Sequence, residues 1–221
     1  MKVCTDSCLF GAWIADKLEK KDLLAESILD IGTGTGLLSL MLAQKTKASI
    51  DAIEINEPAF IQAKENINSS PWKKAITSFH ANIKVWNRDK KYDLIICNPP
   101  FYENDLRSPS TEKNISMHSE DLTLDELFYV SSELLNDNGY CAVLLPFFRS
   151  AFAEQVAQKN SLFINEKLYM RQSTSRDFFR SIFIFQREKK PVIQSEISIT
   201  GNGNEYTKDF KELLKGYYLT L

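Results

Sequence analysis

The 221-residue chain is 43% hydrophobic and carries a formal net charge of -2, enough apolar sequence for one large core and too little length for two comfortable domains. A charge so close to neutral excludes wholesale electrostatic capture of nucleic acid, so any such contact has to come from a local basic patch. No apolar run approaches the roughly 18 to 20 residues that cross a bilayer, and no basic segment leads into one at the N-terminus, so a cytoplasmic protein without membrane contact is expected.

In chain order, "TDSCLFGAWIADKLEKKDLLAE" comes first and places Leu9, Trp13, Ile14 and Leu18 on one side of a helix. From Ser27 onward, short apolar runs alternate with amphipathic stretches, which is the pattern of a sheet with crossover helices. Strands are expected at "SILDI", "SIDAIEI", "AITSFH", "YDLIICN", "YCAVLLP", "LFINEKLYM" and "SIFIFQR". Helices are expected at "GLLSLMLAQKT", "EPAFIQAKENINSS", "LTLDELFYVSSELLNDNG" and "RSAFAEQVAQKN". Pro58 suits the first turn of its helix, and Gly139 is expected to be the left-handed residue that ends another. The first four strands are continuously apolar, as central parallel strands covered on both faces should be. The tail, "SEISITGNGNEYTKDFKELLKGYYLTL", reads as a strand, a Gly/Asn turn and a helix whose Phe210, Leu213, Leu214 and Tyr217 form an apolar stripe. The expected fold class is α/β: a Rossmann-like, doubly wound, seven-stranded sheet with helices on both faces. One domain is expected over residues 1–221, with a core over 27–190 between an N-terminal helical segment (1–26) and a C-terminal strand and helix (191–221).

Cys4 and Cys8 lie four apart, but no second close pair exists, and His80 and His118 stand far from each other and from the cysteines. No metal site is expected. Cys97 and Cys141 lie at the margins of apolar runs, where cysteine serves as a small hydrophobe.

The first strand runs into "DIGTGTG", which gives Gly32, Gly34 and Gly36 at the turn into the first helix of the alternating region. Glycines suit a sharp turn that a ligand must approach closely. The spacing is G-x-G-x-G, not the G-x-G-x-x-G of dinucleotide sites, and Asp30 stands two residues ahead of the first glycine. A carboxylate there repels a pyrophosphate and receives an ammonium. The ligand this favours has an amino-acid end and no phosphates, which describes S-adenosyl-L-methionine. Glu54, at the end of the second strand, is placed to accept hydrogen bonds from two ribose hydroxyls. Asn82, after the third strand, is placed near an adenine edge, with a loop cap as the alternative.

The fourth strand ends in "NPPF" at the carboxyl edge of the sheet, where open α/β folds bind their ligands. Asn98 can offer its side-chain oxygen there, and Pro99 its carbonyl. Two acceptors converging on an NH2 group hold both its protons and leave its lone pair free to attack. Pro100 continues the turn, and Phe101 supplies a face for stacking a planar base, worth roughly 1 to 3 kcal/mol.

"DIGTGTG", "DAIEIN" and "NPPF" together resemble the class I S-adenosylmethionine methyltransferases that act on amino groups. "MKVCTDSCLFGAW", "ENINSSPW" and "YTKDFKELLKGYYL" narrow the resemblance to the bacterial tRNA (adenine-N6) methyltransferases that modify the adenosine 3′ of the anticodon in valine tRNA. The resemblance covers nearly the whole chain. It implies that Asp30, Gly32, Gly34 and Gly36 surround the methionine moiety and that Glu54 holds the ribose. It places Asn98, Pro99, Pro100 and Phe101 at the target amine, and Thr5 and Asp6 beside the cofactor in an N-terminal lid. Cys4 stands where the family usually has glycine, Asn82 where it has aspartate, and Phe101 where tyrosine is commoner.

A tRNA anticodon loop is the partner so implied, and a monomer is expected to act on it. The strongest basic patch is "RQSTSRDFFRSIFIFQREKK", with Arg171, Arg176 and Arg180 around Phe178 and Phe179, and Arg187, Lys189 and Lys190 beyond. Lys73, Lys74, Arg88, Lys90 and Lys91 could extend it. Three rival readings use the same features: guanine-N2 methylation in ribosomal RNA, methylation of a protein glutamine, and a non-catalytic RNA-binding module.

Overall fold

A computed structural model describes residues 4–86, 89–99, 122–203 and 205–219. Helix α1 (Thr5–Lys20) precedes strand β1 (Ser27–Ile31), and α2 (Leu37–Ala43), β2 (Ser49–Glu54), α3 (Glu57–Asn68) and β3 (Ile76–His80) follow in alternation. After a 3-10 turn at Ile83–Val85 come β4 (Tyr92–Cys97), α4 (Leu124–Leu134), β5 (Leu135–Pro146), a second 3-10 turn at Phe147–Arg149, and α5 (Ser150–Lys159). The chain closes with β6 (Phe163–Ser173), β7 (Phe178–Gln186), β8 (Ile193–Thr200) and α6 (Lys208–Leu214).

The strands form one sheet in the order β3-β2-β1-β4-β5-β7-β6-β8. Neighbours from β3 through to β5 pair in parallel; β7 is antiparallel to both β5 and β6. Chain order reverses between β1 and β4, which opens a crevice at their carboxyl ends. The sheet has eight strands instead of the expected seven. The tail strand does not merely pack on the core: β8 pairs in parallel with β6 and satisfies that strand's outer backbone groups.

The apolar residues divide into two clusters, one on each face. On one, α1, α2 and α6 supply Leu9, Phe10, Ile14, Leu42, Phe210 and Leu214, packed against Ile28, Leu94 and Ile182. On the other, Leu127, Phe128, Val156 and Ala157 of α4 and α5 cover Leu29, Ile95, Val143 and Phe183. Alternate residues of each strand feed opposite layers, which explains the unbroken apolar runs of β1 and β4. β3 departs from the expectation of a central strand. It is the sheet margin, only Ile76 in it is buried, and Thr77 and His80 face solvent.

Pro58 sits in the first turn of α3, behind an Asn56 side chain that accepts from the Ala59 amide. Gly139 does not end a helix. α4 stops at Leu134, and Leu135 is already extended and pairs with Tyr92. Gly139 lies within β5, where a Cβ would come within 3.0 Å of the Tyr92 carbonyl oxygen and 2.9 Å of Leu135 Cδ2. Close packing between neighbouring strands requires the glycine there, not a left-handed turn.

At the amino edge of the sheet, Asp93 is the clamp. One oxygen of its carboxylate accepts from the Glu26 and Ser27 amides and the Ser27 hydroxyl, each at 2.9 Å, and the other accepts from Asn136 Nδ2 at 2.6 Å. Burial works against that charge, but the hydrogen bonds outweigh it and hold the carboxyl below its ordinary range.

Candidate active site

The glycine turn after β1 is built by left-handed backbone at Gly32, Gly34 and Gly36, with φ of 68°, 60° and 85°. Only glycine takes such angles without strain, so the sequence specifies the shape of the loop. Two anchors fix it. The amides of Gly32 and Thr33 donate to the Ile53 carbonyl, and the Gly34 amide donates to Glu54 Oε2 at 2.8 Å. The other oxygen of Glu54 accepts from the Asn56 amide, also at 2.8 Å. Glu54 is therefore a buried carboxylate that ties the end of β2 to the glycine turn and keeps lone pairs on both oxygens for further donors.

Asp30 is fully buried. Its Oδ2 accepts from the Thr33 hydroxyl at 2.6 Å, the Ser39 hydroxyl at 2.7 Å and the Ser39 amide at 3.2 Å. Its Oδ1 has no hydrogen-bond partner among the described residues. Burial pushes the carboxyl up to about 6, opposed by the hydrogen bonds from Thr33 and Ser39 and aided by the negative charge of Glu54. A buried acceptor lacking a donor costs free energy unless a ligand supplies one, so the site is shaped for a cationic donor. With a carboxylate for an ammonium, glycines for close approach and Glu54 for a diol, the residues present fit S-adenosylmethionine.

Next to β1, Asn98 follows the last residue of β4. Its Nδ2 donates to the Ser7 hydroxyl at 2.8 Å, while its Oδ1 is buried and without a partner among the described residues. Pro99 beside it is buried. Pro100 and Phe101 lie outside the described residues, as do His118 and Arg88.

The first turn of α1 carries Thr5 and Asp6, the two residues expected beside the cofactor. Thr5 is exposed; Asp6 accepts from the Ser7 amide at 2.9 Å and from Arg180 Nε at 2.8 Å. One turn of helix thus reaches both the Asn98 side chain after β4 and the start of β7. Ser7, Thr33 and Ser39 were not expected. Thr33 lies inside "DIGTGTG" and three residues from Asp30, so local spacing could have revealed it; Ser7 is 91 residues from Asn98, with no local signal. Asn82 caps the first 3-10 turn, its Oδ1 accepting from the Lys84 amide at 2.9 Å, which leaves its Nδ2 protons as the group it can offer.

The basic patch divides along β7. Arg180 pairs in register with Pro146 and Met170, and Phe178 with Arg171, at the same sheet edge as the glycine turn. Arg171 forms an ion pair with Glu196 at 2.5 Å and lies over the Phe178 ring at 4.1 Å; Arg180 is held by Asp6. Arg176 is exposed in the turn between β6 and β7. Arg187 is separated from this group: it follows the far end of β7 and donates to the Ser132 carbonyl. At about 3.3 Å per residue it lies some 20 Å from Arg180, so Arg187, Lys189 and Lys190 do not extend the same surface.

Among the described residues no helix is long and apolar enough to cross a membrane, and no group of three His, Cys, Asp or Glu side chains could hold a metal ion.

Comparison with known proteins is consistent with this geometry. The family model for the methyltransferase small domain matches residues 11–146. The tRNA1(Val) (adenine(37)-N6)-methyltransferase of Dyadobacter fermentans is 40% identical, over 99% of this chain and 91% of that protein. Proteins of the same name from Christiangramia forsetii and Flavobacterium psychrophilum are 36% and 35% identical, covering all of this chain and 92% and 94% of theirs. Among solved structures, an S-adenosylmethionine-dependent methyltransferase from Clostridium acetobutylicum superposes with a TM-score of 0.58 at 14% identity, over 82% of this chain and 92% of that one. A ribosomal protein L11 methylase from Lactobacillus delbrueckii gives 0.57 at 19% identity, over 80% and 77%. The folds agree, the sequence relatives match almost from end to end, and the chain belongs to the methyltransferase small domain family and, within it, to the tRNA1(Val) (adenine(37)-N6)-methyltransferases.

Proposed function

We propose that this enzyme methylates the exocyclic N6 amine of an adenosine in tRNA, the adenosine 3′ of the anticodon in valine tRNA, with S-adenosyl-L-methionine as methyl donor. The observation that carries the reading is the Asn98 side chain: its amide nitrogen is committed to Ser7 and its buried oxygen is left without a donor. An NH2 group entering there supplies that donor. The Pro99 carbonyl accepts the second proton, and the nitrogen lone pair is turned away from both acceptors toward its electrophile. When bound, S-adenosylmethionine supplies a methyl group on a sulfonium.

The chain's own groups do the rest by orientation. Asp30 Oδ1 takes the ammonium, Glu54 the ribose hydroxyls, and the left-handed glycines let the backbone approach without a Cβ in the way. Asn82 offers its Nδ2 protons to the adenine edge, and Thr5 and Asp6 close the pocket from α1. Phe101, with Pro100, is assigned to stacking on the target base by family resemblance. Alignment of this kind can contribute about 7 to 11 kcal/mol to a displacement, without a general base before attack.

The name shared by the near-full-length relatives supports tRNA as substrate and position 37 as target. That substrate supports a cytoplasmic location. The proposed acting unit is a monomer. An anticodon-loop adenosine is already outside a duplex, so the few kcal/mol of extrusion are reduced. Arg171, Arg176, Phe178 and Arg180, at the site edge, are assigned to the RNA.

The test is incubation with total tRNA from a strain lacking the endogenous enzyme and methyl-labelled S-adenosylmethionine, followed by nucleoside mass spectrometry and fragment mapping. Label is expected in N6-methyladenosine 3′ of the valine anticodon. Label in N2-methylguanosine, or only in protein, would refute the reading.

A further inference from the structure

We infer that Phe148, four residues before the half-exposed Phe152, is a second stacking face, occupied by an unpaired nucleotide next to the target adenosine. The inference builds on the assignment of Asn98 to the target amine. It concerns residues beyond that site and beyond the β6–β7 arginines.

Phe148 is 80% exposed and Phe152 49% exposed. A lone surface phenylalanine means little. These two differ in being near neighbours on a segment that is held rigidly. Ser150 donates its hydroxyl to the Phe147 carbonyl at 2.6 Å and lies 2.9 Å from the Ser181 hydroxyl, which joins the 3-10 turn to β7. The Phe147 ring is locked among Tyr169 at 5.1 Å and Phe178 at 5.3 Å. With Phe147 turned inward, its neighbour Phe148 stands outward on a fixed backbone. Ordering a nucleotide on such a face costs the protein little entropy.

Strand register gives the location. Cys97 pairs with Val143, so Asn98 is one residue and Phe148 five residues beyond the same rung of the parallel pair β4–β5. At roughly 3.3 Å per residue along a strand and 4.8 Å between strands, Phe148 lies at most about 13 Å further out than Asn98, one strand over. That is the reach of a flanking nucleotide and not of a distant part of the tRNA.

Composition identifies the occupant. The Arg149 guanidinium lies 4.9 Å over the Phe152 ring, Arg171 lies over Phe178, and Arg176 is exposed on the same sheet edge. Aromatic faces interleaved with arginine match stacked bases and phosphates.

The experiment measures binding and catalysis separately. A fluorescein-labelled anticodon stem-loop of valine tRNA is titrated with wild type, Phe148→Ala, Phe148→Trp and Asn98→Ala by anisotropy, and methylation of the full tRNA is followed in parallel. Phe148→Ala is expected to weaken RNA binding and raise the KM for tRNA by about 5- to 100-fold, with kcat and S-adenosylmethionine affinity unchanged. Phe148→Trp should restore both. Asn98→Ala should bind the stem-loop normally and fail in turnover. Unchanged RNA affinity in Phe148→Ala overturns the inference and leaves the Asn98 assignment standing. Normal turnover in Asn98→Ala overturns that assignment instead. Unchanged RNA affinity with an altered sedimentation coefficient in Phe148→Ala would give the patch to a second copy of the chain, again overturning the inference.

Discussion

Replacing Asp30 with Asn should make the cofactor-free protein more stable while abolishing its response to the cofactor. Burial raises the Asp30 carboxyl from an ordinary 3.8 to about 6. At roughly 1.36 kcal/mol per pH unit, the ionised form costs the folded state about 3 kcal/mol near neutral pH. The sign follows from proton counts. Between the two values the native state holds more protons than the unfolded state, so stability falls as pH climbs through that window and stays lower above about 6. Asparagine carries no charge and keeps an oxygen for Thr33 and Ser39. A gain of 2 to 3 kcal/mol corresponds to about 5 to 10 °C in Tm for a chain of this size.

Differential scanning calorimetry of cofactor-free Asp30→Asn near neutral pH should show that rise, shrinking toward zero below about pH 4, where Asp30 is protonated in the folded and unfolded states alike. A saturating S-adenosylmethionine addition, on the order of 100 times its Kd, should stabilise wild type by about 2.7 kcal/mol and leave the variant unmoved. In wild type, cofactor affinity should hold above pH 6 and decline below it as Asp30 takes up a proton. A variant that melts below wild type near neutral pH, or that gains as much from the cofactor, would refute the reasoning.

Asn98→Ala should lower kcat on tRNA by about two to four orders of magnitude with cofactor Kd within about twofold, because its oxygen acts on the amine in the transition state; isothermal titration and single-turnover kinetics separate the two. Ser7→Ala should cost about 5- to 50-fold in kcat by freeing the Asn98 amide to rotate, roughly one lost hydrogen bond, with rescue by Ser7→Thr. Gly139→Ala should destabilise the protein by about 1 to 3 kcal/mol in urea unfolding, since the added carbon meets the Tyr92 carbonyl, with turnover per folded molecule unchanged.

Much of the fold was legible because its determinants are local. The apolar runs of β1, β2 and β4, the proline of α3 and the glycines after β1 each follow from spacing within a few residues. At Gly139 local signals point the wrong way: "NDNG" carries every turn signal, yet its glycine answers to Tyr92, on the neighbouring strand. In sequence β3 groups with the central strands although Thr77, Ser78 and His80 interrupt its apolar run, and the strand order makes it an edge. In the candidate site, Asp30, Glu54 and Asn98 could be named from motif and position. What holds them could not: Ser7 meets Asn98 across 91 residues and Asp6 meets Arg180 across 174. The arginines that formed one patch in sequence were divided by β7, which carries them to opposite ends of the sheet.

Asp93 clamps one end of the sheet with every bond made, whereas Asp30 and Asn98 leave acceptors unmet at the other. The same sheet therefore separates two kinds of genetic lesion. A change at Asp93 should lower the amount of protein in the cell while each surviving molecule works at full speed; a change at Asn98 should leave the amount intact and silence the molecules. Quantifying protein and modified nucleoside from the same culture would assign an uncharacterised allele to one end or the other.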